Sequence, residues 1–451
     1  MVIVFVLLAL AVLVGGNWYV WRRLFRDTTR APGAVRRAGA AVVVGGWALA
    51  VGALVAERAG APFWLQRTLG WPGFLWLALC VYLLLAVLAG EAVRPLLTRL
   101  PARRRPTADA GTAAAGATAT GTTAASQVSP ADGEPGADRS TVTVGPDRAA
   151  TDPATDPDPA PTPATAPTPA TAPTPAPADV SRRLFVSRVV AGAAGAVAVG
   201  TVGYGTYGVL RGPRIKRVTV PLAKLPRAAH GYRIAVVSDI HLGPVLGRGF
   251  TQGIVDTINA AQPDLVAVVG DLVDGSVRDL GPAAAPLAGL DAPSYFVTGN
   301  HEYFSGAAQW VEEVRRLGLV PLENARTELP WFDLAGVNDI AGESEGQGPD
   351  FAKALGDRDP ARACVLLAHQ PVQIHQAVDH GVDLQLSGHT HGGQLWPGNL
   401  IAAAANPTVA GLDRYGDTQL YVSRGAGAWG PPTRVGAPSD ITMIQLASTH
   451  A

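Results

Sequence analysis

Cysteine is almost absent: there are two, Cys80 and Cys364, in 451 residues. Cys80 lies in an apolar run and Cys364 in an expected core strand. A disulfide would have to join a membrane segment to a globular core, so none is expected. Both read as inert buried thiols rather than nucleophiles. Charge is scarce as well, at 16% of residues against 48% hydrophobic, with a mean hydropathy of +0.18. That balance is too apolar for one ordinary soluble protein and calls for membrane spans. The formal net charge is zero, so no global field draws the chain to nucleic acid, and no nucleic-acid partner is expected. Lysine is rare; amid so much Ala, Gly and Pro, the reliance on arginine reads as coding bias rather than function. Histidine is missing from the first half, since all nine stand at or after His230. The chemistry is therefore expected in the C-terminal half.

What is there begins with apolar runs. Val2 to Val14 is unbroken, extended by Trp18, Tyr19 and Trp21. No basic residue precedes it and no small-residue cleavage site comes after it, so it reads as a span rather than a cleaved signal. Further spans are expected at Ala38–Ala56 and Trp71–Gly90. The loop after the first span (Arg22, Arg23, Arg26, Arg30, Arg36, Arg37) and the stretch after the third (Arg94, Arg99, Arg103, Arg104, Arg105) are rich in arginine; the loop between spans two and three is not. By the positive-inside rule these two segments face the cytoplasm. No Asp, Glu, His, Lys or Arg interrupts the three spans, so they read as anchors rather than a transport pathway.

Residues 1–100 thus form a membrane region. Residues 101–180 form a linker of Ala, Thr, Pro, Gly and Asp whose composition cannot offset the entropy of ordering, and disorder is expected there. Residues 181–211 carry Ser181-Arg182-Arg183-Leu184-Phe185 ahead of Val189 to Leu210. This is either a fourth span or a twin-arginine-like signal anchor, and both place the C-terminal domain outside the cytoplasm. Arg211, Arg214, Lys216 and Arg217 dissent, because they stand directly after that span.

From residue 212 to 451, short apolar strands alternate with helical stretches. Strands are expected at Arg233–Val237, Leu265–Val269, Tyr295–Thr298, Cys364–Ala368 and Leu384–Leu386, with Gln419–Val422 and Ile441–Leu446 completing the sheets. Each of the first five runs into a residue able to bind metal, and ligands collect at the carboxyl ends of strands in α/β folds. The candidates are Asp239, His241, Asp271, Asn300, His301, His369, His389 and His391. Two divalent ions close together need a bridging carboxylate and two or three N/O ligands each. Imidazole with carboxylate suits Mn, Fe, Zn or Co.

Five motifs occur in order: Ser-Asp239-Ile-His241; Gly270-Asp271-Leu-Val-Asp274-Gly275; Gly299-Asn300-His301-Glu302; Ala368-His369-Gln370; and Gly388-His389-Thr390-His391-Gly392-Gly393-Gln394. Together they resemble the signature of calcineurin-like metallophosphoesterases, over about Arg233 to Leu446. Gly-Gly-Gln after the last pair and the tail Tyr421 to Trp429-Gly-Pro-Pro resemble the membrane-anchored bacterial phosphodiesterases, whose cousins hydrolyse the pyrophosphate of UDP-diacylglucosamine. The resemblance implies an α/β fold, a four-layer α-β-β-α sandwich. It implies two divalent ions, the first on Asp239, His241 and His391, the second on Asn300, His369 and His389, with Asp271 bridging. It implies in-line attack by a hydroxide shared by the ions, with His301 donating a proton to the leaving oxygen or stabilising the transition state. Membrane attachment and this resemblance point to a phosphodiester or pyrophosphate of a lipid or envelope compound. The alternative is a catalytically silent membrane scaffold or sensor of the same fold.

The remaining residues have plainer readings. Asp274 and Glu302 are either supports for the ligands or caps. Arg424 either contacts phosphate or forms a structural ion pair. His230, His375, His380 and His450 match no motif and read as surface or structural. Leu395-Trp396-Pro397 and Leu400-Ile401, with Trp429, make either an apolar lip that accepts a lipid chain or dips into the bilayer surface, or ordinary loop packing.

Overall fold

The computed structural model describes residues 2–99 and 181–450; the linker expected over 101–180 lies outside the described residues. Four helices come first: α1 (Val2–Trp21), α2 (Ala34–Arg58), α3 (Phe63–Arg99) and α4 (Arg182–Leu210). Stretches of α2, α3 and α4 are long and apolar enough to cross a membrane. α2 and α3 approach closely through glycine. A Cβ on Gly73 would strike the backbone of Leu49 and Ala50, and one on Gly46 the ring of Trp76. Small residues at such contacts let apolar helices associate where water offers no driving force.

At one end of the bundle lie ion pairs. Arg23 reaches Asp27 at 3.0 Å and Glu91 at 2.9 Å, Arg94 reaches Glu91 at 3.1 Å, and Arg188 donates to Thr28 O. The opposite end meets the globular domain. Phe63 packs against its core, Gly70 lies against Pro244, and Val209 clusters with Leu246 and Ala428.

The domain opens with β1 (Arg214–Leu222), β2 (Arg233–Val237), α5 (Arg248–Ala261), β3 (Leu265–Val269), α6 (Val277–Ala284), β4 (Ser294–Val297), α7 (Asn300–Ser305), α8 (Ala307–Arg316) and β5 (Val320–Pro321). It continues with β6 (Ala325–Glu328), β7 (Asp333–Gly336), α9 (Phe351–Leu355), β8 (Cys364–Leu367), α10 (Ile374–Asp379), β9 (Leu384–Ser387), α11 (Gly398–Ala405), β10 (Gly411–Tyr415), β11 (Thr418–Val422) and β12 (Asp440–Ser448). The strands form two six-stranded sheets, ordered β1-β12-β2-β3-β4-β5 and β10-β11-β9-β8-β7-β6.

Strand alternation explains the layers. Ile234, Val236, Ala267 and Val269 of the first sheet meet Leu334, Val365, Leu367 and Leu386 of the second between the sheets. The intervening Ala235, Val237, Val266 and Val268 turn outward to Ile254, Leu280 and Trp310 of α5, α6 and α8. On the other side Ala335, Cys364 and Leu366 meet Phe351 of α9 and Ile374 of α10. This is the expected four-layer α-β-β-α sandwich, and neither cysteine forms a disulfide.

β1 is where the sequence misleads. Arg214, Lys216 and Arg217 look like the basic flank of a span, but they belong to a strand paired in parallel with β12. The Lys216 ammonium lies 5.5 Å from the centre of the Tyr421 ring. β1 is the outer strand of its sheet.

Candidate metal centre

Strands β2, β3, β4, β8 and β9 end at one edge of the sandwich. The loops after β2 and β3 run side by side: Asp239 N donates to Gly270 O, His241 N to Asp271 O and Leu242 N to Leu272 O, all at about 3 Å. Gly270, at φ +74°, has no space for a Cβ, which would strike His369 and Gly299. The tail completes the floor, with Ala426 N donating to Ser238 O and Gly427 N to Asp239 O.

Five of the eight candidates are left-handed without being glycine: Asp239 (φ 53°), His241 (49°), Asp271 (53°), His389 (71°) and His391 (52°). Each such residue costs about 1–3 kcal/mol and persists only where its surroundings over-determine it. Glycine would be relaxed at these positions but would bring no carboxylate or imidazole.

The side chains converge. The potential ligand atoms of Asp239, His241 and His391 lie within 4.8 Å of one another, as do those of His241, Asp271 and His301, and those of Asp271, His369 and His389. Asp271 is shared, with Oδ2 3.7 Å from His241 Nε2 and 3.2 Å from His369 Nε2. Asn300 Oδ1 stands 3.0 Å from His389 Nδ1. All eight predicted residues are thus brought together, while exposed His230, His375 and His450 stand apart and His380 bonds to Gln376 O.

The supports fix which ring nitrogen faces inward. His369 Nδ1 donates to Val269 O at 2.9 Å, which turns its buried Nε2 toward Asp271 Oδ2, 3.2 Å away. His241 Nδ1 meets Asp274 Oδ1 at 2.8 Å and turns Nε2 toward His391 Nε2, 3.0 Å away. Asp274 Oδ1 also takes His301 Nδ1, at 2.7 Å, so Asp274 orients two imidazoles. Glu302 accepts the backbone N–H of Asp271, Leu272 and Gly299. Asp274 therefore supports the site, and Glu302 both supports it and caps α7.

Electrostatics point the same way. Burial, then the charge of His369, pushes His389 down to about 4. Burial and the neighbouring His241 hold His391 well below the ordinary imidazole range. Burial opposes charge on His241 and His369 too, but Asp274 and Asp271 respectively outweigh it and raise both. The buried carboxylates Asp239 and Asp271 call for a counter-charge, a role that divalent cations fill. The donor set, the inward-facing His369 Nε2 and the facing His241 and His391 nitrogens all fit metal ions.

Two partners were missed in the sequence. Arg434 is buried and donates to Gly427 O, His391 O and Ala437 O, with Nη2 3.0 Å from His391 Nδ1. Asp339 holds the side chain of Gln370, beside His369, through both oxygens. Nothing local sets either apart from a surface arginine or a capping aspartate. Arg424 Nη1 lies 3.8 Å from Asp440 Oδ2.

The family model for calcineurin-like phosphoesterases matches residues 232–393. An uncharacterized metallophosphoesterase of Bacillus subtilis is 30% identical over 288 residues, which cover 60% of this chain and 99% of that protein. The chain belongs to the calcineurin-like phosphoesterase family. Another member, an uncharacterized metallophosphoesterase of Aquifex aeolicus, is 33% identical over 52% of this chain and 91% of its own length. A transmembrane protein with metallophosphoesterase domain from Danio rerio is 39% identical over 54% of this chain, but the match spans only 59% of that protein. Among solved structures, a dimetal phosphatase from Danio rerio aligns at TM-score 0.34 and 12% identity, covering 47% of this chain and 91% of that one; so slight a likeness adds nothing to the site.

Proposed function

We propose that this family member is a membrane-anchored, two-metal phosphoesterase that hydrolyses a phosphodiester or pyrophosphate of a lipid or envelope compound. The observation that carries it is Asp271, buried between two ligand clusters. One ion would rest on Asp239, His241 and His391, the other on Asn300, His369 and His389, with Asp271 serving both; Mn, Fe, Zn or Co suits the donors. Bound there, divalent ions lower the pKa of water and offset charge on phosphoryl oxygens.

The chain's own residues do the rest. His301 has Nδ1 committed to Asp274, so Nε2 is the atom left to donate a proton to the leaving oxygen. Burial works against charge on His301, but the Asp274 bond outweighs it and raises its pKa, which suits an acid. Trp429 and Phe304 each set a ring edge-on to His301, with centroids 5.6 Å away, and so limit water around it.

The ion-paired arginine end of the bundle lies away from the domain, so the positive-inside rule supports an extracytoplasmic domain. Protease added to intact cells would release a domain on that side and spare one in the cytoplasm.

The decisive experiment strips metal from the full chain in detergent and monitors bis-p-nitrophenyl phosphate as Mn, Zn, Co or Mg is returned. Turnover that needs metal and vanishes in Asp271→Asn supports the proposal. Folded protein inactive with every metal, on this diester and on lipid pyrophosphates, leaves the silent scaffold standing instead.

A further inference from the structure

We propose that Leu395–Ala405, which begins four residues after His391, is immersed in the hydrocarbon of the bilayer and opens the metal centre sideways to a lipid chain. The immersion is independent of the proposed activity; the lipid access rests on it.

Depth is the first argument. Tyr82 Oη donates to Trp396 O at 3.0 Å. Tyr82 stands nine residues from Glu91, where the ion pairs mark one face of the membrane, and eleven from Trp71. At 1.5 Å per residue those separations are about 13 and 16 Å along α3. A hydrocarbon core about 30 Å thick has its middle there. α4 gives the same answer independently. Leu395 and Val435 pack in one cluster with Ala198 and Val202, and Ala198 is ten residues, about 15 Å, from Arg188.

Composition is the second. From Gly392 through Leu412 the chain has no Asp, Glu, Lys, Arg or His. Within that stretch α11 reads Gly-Asn-Leu-Ile-Ala-Ala-Ala-Ala and buries no residue. Leu400 is 66% exposed, Ile401 76% and Trp396 53%. In water this would be an apolar helix with nothing to cover it; at mid-membrane depth lipid chains cover it. A helix also satisfies its backbone internally, as immersion demands.

Connection is the third. Gln394 ties this loop to the tail, bonding Trp429 O and Pro431 O through Nε2 and accepting Trp429 N. Trp429 is the ring set against His301. Five residues span at most about 18 Å, so the backbone at Trp396 lies within that distance of the backbone at His391. A lipid whose chain lies along α11 therefore has its phosphate within reach of the metal centre without leaving the bilayer.

The test uses the full chain in phosphatidylethanolamine–phosphatidylglycerol vesicles. In a Cys80→Ala, Cys364→Ala background, a fluorescent probe goes on Ile401→Cys, on Val197→Cys within α4, or on Arg414→Cys in β10. Quenching of the Ile401 probe by mid-chain doxyl lipid, as at Val197, is expected. Quenching by aqueous iodide, as at Arg414, overturns the immersion. For access, alkyl p-nitrophenyl phosphodiesters of rising chain length are compared. We expect kcat/KM to rise at least about tenfold, the equivalent of two buried methylenes. The Leu400→Asn, Ile401→Asn pair should flatten the rise and spare the methyl ester. Turnover indifferent to chain length overturns the lipid access and leaves the phosphoesterase reading intact. No turnover of any ester sinks that reading and the access with it, while the quenching result on immersion stands.

Discussion

In the helical bundle, packing depends on what is missing from the side chains; in the sandwich, the site depends on what is present at strained backbone. Gly46 and Gly73 let α2 and α3 touch because they carry no side chain. Asp239, His241, Asp271, His389 and His391 hold left-handed φ values that glycine would adopt freely, yet each brings a potential ligand. Glycine serves where only proximity is needed, and strain is tolerated where a donor atom is. The two regions should therefore answer substitution differently. Changes at the strained loops should abolish chemistry and leave the fold, while changes at the helix contact should loosen the bundle and leave the chemistry.

Asp271→Asn is the sharpest way to test that contrast. It keeps the shape and removes the charge shared by both clusters, so activity on a diester should fall to the metal-free rate. Returned metal should raise the melting temperature of the wild type and barely move that of the variant. A variant that kept turnover would break the comparison. His301→Ala comes next, with a loss of about 10²–10⁴ in kcat and metal content unchanged, since His301 is not among the proposed ligands. Asp274→Asn should be milder, about 10–100-fold in metal affinity or activity, because it loosens the orientation of His241 and His301 without deleting either. Metal titration alongside kinetics separates the three.

Much of this site was legible because ligands at strand ends occupy fixed sequence motifs. Arg233–Val237 and Leu265–Val269 are found where the apolar runs placed them, and all eight candidates converge. Arg434 and Asp339 were not legible, since each acts only through a partner distant in sequence, His391 and Gln370, and burial is what distinguishes them. β1 was hidden for another reason. Its first residues read Arg-Ile-Lys-Arg, and directly after a span that opening looks like a basic flank. β6 and β7 were also passed over, because Ala325–Glu328 and Asp333–Gly336 are too short and mixed to show a period. The apolar residues of α11 were legible as a candidate lip, but eight residues cannot span a bilayer, and the proposed depth comes only from its neighbours α3 and α4.

The smallest expected effect on chemistry tests the other half of the comparison. Gly73→Val places a branched side chain where even a Cβ meets the backbone of α2 at Leu49 and Ala50. Backbone cannot rotate aside as a side chain can, so α2 and α3 must separate, and close packing is the main attraction between apolar helices in lipid. The contact lies in the bundle, whereas the loops that carry Asp239, His241 and Asp271 hydrogen-bond to each other. Turnover of bis-p-nitrophenyl phosphate by the variant in detergent at low temperature should therefore stay within about twofold of wild type, inside the scatter of surface substitutions. Its thermal unfolding in the same detergent should begin earlier. A large loss of turnover with full metal content would mean instead that the bundle positions the catalytic loops, through Leu395 and Val435 against α3 and α4, and that anchor and active site cannot be separated.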